Sequence, residues 1–160
     1  KAMLASADYC RQKKIPFIAD PGQTIPAFTK KELRDFVTGA HILVVNDYEW
    51  ELAREKTGWQ TEEFLGCVSN LIITYGKQGS SLFRQGKGEH KIPAFKVKTL
   101  DPTGCGDAYR AGLMHGHSLG LELEKSALVA SWLAARCAMT EGTQSHRISK
   151  TELRKFLKTF

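Results

Sequence analysis

Short apolar runs alternate with longer amphipathic stretches through the first half of the chain. Ile15-Pro16-Phe17-Ile18-Ala19, His41-Ile42-Leu43-Val44-Val45 and Leu71-Ile72-Ile73-Thr74-Tyr75 are of strand length and largely unbroken by charge. That pattern predicts buried strands over 15–19, 41–45 and 71–75. Asp20-Pro21-Gly22 turns the chain after the first. The intervening stretches predict helices over 2–14, from Thr29 to near Gly39, from Asn46 to about Lys56, and over 61–68. Thr29-Lys30-Lys31-Glu32 has capping-box spacing, and Gly39 and Gly58 are helix-ending glycines.

The texture then changes. Ser80 to Arg84 and His90 to Pro93 flank Gly86-Lys87-Gly88, which predicts a hairpin. Lys96-Val97-Lys98 alternates and predicts one more short strand. Helices follow from Gly104 to Leu119, from Glu122 to Thr140 and over 149–158, the last opened by a second capping box at Ser149-Lys150-Thr151-Glu152. Alternating helix and buried strand predicts an α/β fold, a mainly parallel sheet with helices on both faces, followed by the hairpin and further helices. Ligands of such folds bind beyond the carboxyl ends of the strands.

Composition narrows the class. The 160 residues, 42% hydrophobic and 25% charged, suffice for one domain over 1–160 and exclude a disordered or fibrous chain. No apolar run approaches the roughly 18–20 residues of a membrane-spanning helix, so no membrane partner is expected. The N-terminus turns polar by Ser6, unlike a signal peptide. The chain does not begin with Met and opens inside a predicted helix, so an upstream segment is expected. The net charge of +6 suits an anionic ligand such as ATP, and equally a solvated surface. Basic residues are not interleaved with aromatic ones, which argues against a nucleic-acid partner. Cys10, Cys67, Cys105 and Cys137 form no C-x-x-C pair and no zinc spacing. They read as reduced thiols in a cytoplasmic protein.

The chemistry concentrates in Asp101-Pro-Thr-Gly-Cys-Gly-Asp107. A glycine-rich loop opening a helix offers partnerless amides and the positive end of the dipole to a phosphate. Gly104 and Gly106 let the backbone approach closely. Asp107, in the first turn, is placed to accept a proton from an acceptor hydroxyl. Taken alone, an acid there is ordinary dipole complementation. The loop is neither a Walker A sequence nor G-x-G-x-x-G, since Tyr109 stands at the third glycine.

The longer string DPTGCGDAYRAG, Asp101 to Gly112, resembles the second signature of the PfkB (ribokinase-like) carbohydrate kinases, and together with Asp20-Pro21-Gly22-Gln23 and Asn46-Asp47-Tyr48-Glu49 it looks most like bacterial adenosine-kinase-type members. The resemblance implies a ribokinase-like fold. It implies an anion hole at Gly104, Cys105 and Gly106, nucleotide contacts from Thr103, Gly104 and Gly106, and Asp107 as base. Asn46-Asp47-Tyr48-Glu49 resembles the family's N-x-x-E, which implies that Asn46 serves the nucleotide and Glu49 the magnesium; a capping box explains the same spacing. Thr74-Tyr75-Gly76-Lys77-Gln78-Gly79 resembles T-x-G-x-x-G, implying nucleotide contacts from Thr74, Gly76 and Gly79; a tight turn is the plain alternative. ATP and Mg2+ are the implied cofactors. K+ is allowed near Glu141 to Gln144, with no ligands assigned.

The match covers the C-terminal portion of that family's chain. The N-terminal segment with the Gly-Gly acceptor motif and the lid is expected to be missing. The intact enzyme would phosphorylate a primary hydroxyl of a sugar or nucleoside, adenosine favoured and ribose another option. The isolated chain is expected to be inactive. The alternative is a truncated, non-catalytic nucleotide-binding module, and self-association, a homodimer included, is open to either. Cys105 reads as a small residue between glycines. His115 and His117 face different directions on their helix and make a poor metal pair. Arg110 reads as facing either a phosphate or solvent.

Overall fold

The computed structural model describes residues 1–159. Packing gathers the chain into two compact units, Lys1–Gly76 with Ser80–Lys91, and Lys77–Gly79 with the residues from Ile92 on.

The first unit carries α1 (Ala2–Gln12), β1 (Ile18–Ala19), α2 (Lys30–Val37), β2 (Ile42–Asn46), α3 (Asp47–Thr57), α4 (Thr61–Cys67), β3 (Leu71–Thr74), β4 (Ser80–Arg84) and most of β5 (Gly88–Ile92). The sheet runs β1-β2-β3-β4-β5. β1, β2 and β3 are parallel, and β4 returns antiparallel to β3. The expected hairpin is therefore not an appendage but a continuation of the sheet. Leu43, Val45, Leu71 and Ile73 enter one core with Leu33, Phe36, Trp50 and Phe64 from the helices. Ile42, Val44 and Ile72 point to the opposite face, as strand alternation requires, and are buried too. Burial on both faces is why these strands read as unbroken apolar runs.

Local sequence sets the helix ends. The Thr29–Glu32 box forms reciprocally: Glu32 N–H donates to Thr29 Oγ1 at 3.2 Å and Thr29 N–H to Glu32 Oε2 at 2.8 Å. Gly58 ends α3 in the left-handed region at φ +67°. β1 is shorter than the expected 15–19. Pro16 has no N–H to give a ladder, and Ile15 is 46% exposed, so pairing begins only at Ile18. A short 3-10 helix, Gly22–Ala27, occupies what the sequence showed only as a turn.

The second unit is helical: α5 (Cys105–Ser118), α6 (Leu123–Ala138) and α7 (Lys150–Leu157). α5 and α6 pack backbone to backbone. A Cβ on Gly112 would lie 2.4 Å from Ala130 Cα, and one on Gly116 would lie 2.7 Å from Ser126 Cα. Phe156 of α7 stacks on Trp132 of α6 at 4.6 Å between centroids, and Phe95 meets Phe156 edge-on at 5.4 Å. The strand expected at Lys96-Val97-Lys98 does not form. A strand needs a neighbouring strand to pair with, and the chain there instead reaches the end of α6, Leu100 N–H donating to Ala138 O at 2.7 Å.

Candidate functional site

In the first unit, Asn46 ends β2 and Thr74 ends β3, and the two are paired in register. Both thus stand at the carboxyl ends of the parallel strands, where ligands of such sheets bind. Asn46 is also the N-cap of α3. Its Oδ1 accepts from Glu49 N–H at 2.7 Å, and its own N–H donates to Glu49 Oε2 at 2.9 Å. The capping reading of N-x-x-E is thus realised, and the cap uses Oε2, leaving Oε1 outside it. Thr74 Oγ1 donates to Val45 O at 3.5 Å. Gly76 adopts φ +56° with open space where a Cβ would stand.

In the second unit, Gly79 adopts φ +95°, and a Cβ there would lie 2.2 Å from Ile92 O. Its lack of a side chain is thus accounted for by a close backbone approach. Thr103, Gly104, Cys105, Gly106 and Asp107 come together at the start of α5. Gly104 is the N-cap at φ +83°, with no side chain capping the helix. A Cβ on it would lie 2.9 Å from Thr143 Cβ, so the residue is confined to glycine on two counts. Cys105 N–H is held by Pro102 O at 3.2 Å, and the helical ladder begins with Ala108 N–H to Gly104 O at 2.9 Å. Between them the amides of Gly106 and Asp107 have no intrahelical carbonyl within reach. Such a terminus can hold an anion through its backbone.

Asp107 presents its carboxylate outward, its side chain 79% exposed, in an ion pair with Arg110 Nη2 at 2.7 Å. The Arg110 guanidinium also lies against Gly106, 3.4 Å from where a Cβ would stand. One cation thus flanks both the bare amides and the carboxylate.

Asp101, the first residue of the motif, was not among the expected site residues, yet it anchors the loop. Its Oδ1 accepts from Thr103 N–H at 2.8 Å and its Oδ2 from Gly142 N–H at 2.9 Å. The Thr103 and Gly142 hydrogen bonds hold its carboxyl below the usual range. Cys105 behaves oppositely. A helix N-terminus lowers a thiol pKa, but here burial prevails and, with Cys137 and Asp101 nearby, pushes it up to about 11. The signal for Asp101 was local, since a carboxylate two residues before an amide is a common turn acceptor. Its bond to Gly142 spans 41 positions and left no such trace.

A cavity of about 350 Å³ lies at the other, amino ends of the strands, lined by Arg11, Lys14, Phe17 and His41 among others. None of the motif residues reaches it. Among the described residues, no group of three or more His, Cys, Asp or Glu side chains converges on a metal-sized site. No described helix is long and apolar enough to cross a membrane.

The sheet, the bare α5 terminus and the exposed aspartate define a class, and the chain belongs to the pfkB family of carbohydrate kinases, whose profile matches residues 1–150. The chain is 34% identical over 128 residues to a nucleoside kinase of Methanocaldococcus jannaschii, covering 79% of this chain and 42% of that protein. It is 33% identical over 135 residues to a ribokinase of Lactococcus lactis, covering 82% and 42%. The structure of Burkholderia thailandensis nucleoside kinase in complex with inosine superposes with a TM-score of 0.92 at 35% identity, over 98% of this chain and 52% of that one. The same kinase in complex with ADP-inosine gives 0.92 over 98% and 49%. The chain spans about half the length of these relatives. They are nucleoside kinases and ribokinases, a broader group than the adenosine-kinase type that the motifs resembled.

Proposed function

We propose that this chain is the nucleotide-handling half of an ATP-dependent kinase that phosphorylates a primary hydroxyl of a nucleoside or sugar. The observation that carries the reading is the start of α5, where a Gly104 N-cap leaves first-turn amides without a capping side chain and Asp107 stands exposed beside them. The amides of Gly106 and Asp107 hold the transferred phosphoryl group. Arg110 adds positive charge where negative charge spreads in the transition state. Asp107 takes the proton of the attacking hydroxyl, the oxygen bonds to the γ-phosphorus, and ADP departs with the electrons of the broken bond.

Asn46, Thr74 and Gly76, at or just after strand ends, and Thr103 and Gly79 serve the nucleotide. Glu49, through the Oε1 that the cap leaves unused, would help hold Mg2+, which when bound would supply charge neutralisation for the phosphates. The nucleoside kinases among the relatives support a nucleoside acceptor, and adenosine remains the particular one that the sequence strings favour. A cytoplasmic site of action accords with the free thiols of Cys10, Cys67, Cys105 and Cys137.

The acceptor contacts belong to no motif in these residues. The purified chain is therefore expected to bind ATP weakly and to transfer phosphate to nothing, because positioning the acceptor supplies about 7–11 kcal/mol of the barrier reduction. Calorimetric titration with ATP, and an ADP-release assay with adenosine, inosine, ribose and fructose, test this. Acceptor-dependent turnover at roughly 1–100 s⁻¹ would put the acceptor site inside the chain. No ATP binding even at millimolar concentration would remove the phosphate-binding reading of α5.

A further inference from the structure

Arg110 stands in the second turn of α5, which begins at Cys105. Side chains on a helix lean toward its N-terminus, and this one reaches back to the first turn. Its Nη1, Nη2 and Cζ lie 3.4, 3.6 and 3.8 Å from where a Cβ on Gly106 would stand. From there Nη2 donates to Asp107 Oδ1 at 2.7 Å. The two partners are unequally placed, the Arg110 side chain 30% exposed and the Asp107 side chain 79%. The guanidinium is thus the seated half of the pair, and the carboxylate is the half that is held. The placement runs against the helix dipole, whose positive end repels a cation. The fold gains nothing from a guanidinium here beyond its bond to Asp107, whereas an anion at the bare amides of Gly106 and Asp107 would favour it.

We propose that Arg110 is the positioning residue of the base: it holds the Asp107 carboxylate by Oδ1 and aims Oδ2 at the acceptor hydroxyl. The inference rests on the reading of Asp107 as base, and it goes beyond the charge that Arg110 brings to the phosphoryl group. An exposed aspartate has several staggered rotamers open to it. A bond from a seated guanidinium selects one. The hydroxyl proton then passes to Oδ2, the hydroxyl oxygen bonds to the γ-phosphorus, and ADP leaves with the electrons of the broken bond. Arg110 keeps its own protons throughout, since a guanidinium does not release them near neutral pH.

An ion pair three residues apart on a helix also arises simply to support the helix. The two roles leave different traces. Helix support shows as stability lost when the cation is removed, whereas positioning shows as rate lost. A direct ligand of the phosphate, for its part, acts whether or not Asp107 is a carboxylate. A positioning residue acts only while the base is there to be positioned. A misplacement of about 1 Å can cost roughly 10²-fold in rate, which sets the size of the effect.

The test is a double-mutant cycle in a full-length kinase carrying this segment, read by the single-turnover rate of phosphoryl transfer. Arg110→Gln removes the charge, and it is expected to slow transfer about 10²-fold. ATP affinity is expected to change by less than about threefold, and the thermal unfolding midpoint is expected not to fall. Arg110→Lys keeps a cation within reach of Asp107 and is expected to recover about tenfold of the lost rate. In an Asp107→Asn background, the cost of Arg110→Gln is expected to shrink to about threefold or less. Should the Gln variant not fold, Arg110→Lys carries the same cycle. A cost as large in the Asp107→Asn background as in wild type would overturn the proposal and leave Arg110 a ligand of the phosphate. A fall in ATP affinity or in unfolding midpoint that matches the fall in rate would overturn it too. Asp107→Asn alone transferring within a few-fold of wild type would remove the base reading, and the proposal with it.

Discussion

Two helices of this chain begin just after a sequence expected to serve a nucleotide, and they begin differently. α3 is closed by its own side chains, Asn46 and Glu49 each accepting the other's backbone N–H. α5 begins with a glycine at φ +83° and no capping side chain. A capping box spends its donors on the fold, whereas a bare terminus keeps them for a ligand. The same family resemblance thus covers two physical situations. At α5 the structure offers unspent amides, a cation and an exposed carboxylate. At α3 it offers residues already employed, whose functional role must coexist with a structural one.

The comparison breaks most directly at Asp107. In a full-length kinase carrying this segment, Asp107→Asn is expected to lower kcat by about 10²–10⁴-fold with little change in ATP affinity. The change keeps the shape and the first-turn position but removes the base. A variant within a few-fold of wild-type kcat would leave Asp107 as a dipole partner of α5 and nothing more.

Gly104→Ala tests the bare terminus itself. An added Cβ meets Thr143 at 2.9 Å in a left-handed backbone. Strain and clash together are expected to cost about 1–3 kcal/mol of stability. Gly76→Ala, where nothing lies within 4 Å, should pay only the cost of its positive φ. Denaturant unfolding of both variants checks this, and equal losses would mean that the Thr143 contact yields freely.

At α3 two substitutions separate fold from function. Asn46→Ala removes the N-cap and is expected to cost about 0.5–2 kcal/mol in unfolding experiments. Glu49→Gln retains an oxygen for the Asn46 amide, since Gln also serves in capping boxes, but loses the charge. It is expected to leave stability nearly unchanged and to raise the magnesium requirement of a full-length kinase. An unchanged magnesium titration would confine Glu49 to the cap.

What the sequence made legible divides along the same physical line. Buried strands, the capping boxes at Thr29, Asn46 and Ser149, and the α5 loop are encoded within a few residues, and all form. Lys96-Val97-Lys98 has strand-like alternation, but alternation supplies no partner, and no strand results. Gly112 and Gly116, four apart on one face of α5, were readable as a close-packing pair and went unread. The bonds from Asp101 to Gly142 and from Cys137 to Thr103 depend on chain brought together from more than 30 positions away. Nothing in a local window records them.

The smallest expected effect concerns that non-local staple. Asp101 is bound by two backbone amides, and its folded pKa is depressed by those hydrogen bonds. A depressed carboxylate stabilises the fold above its unfolded pKa, about 3.9. That contribution is lost as pH falls through the lower folded value. Asn at this position has one carbonyl oxygen and cannot serve Thr103 and Gly142 in the same way with both side-chain atoms. Asp101→Asn is therefore expected to unfold at a lower temperature than wild type at pH 7, and the gap should narrow as pH drops from about 4 toward 2. Glu32 and Glu152, whose carboxyls are also lowered by cap hydrogen bonds, titrate in the same range but are common to both proteins, so they cancel in the difference. Thermal unfolding of the two proteins across that range is the measurement. A gap that stays constant down to pH 2 would mean that Asp101 acts by shape alone, and that the loop before α5 is not held by its charge.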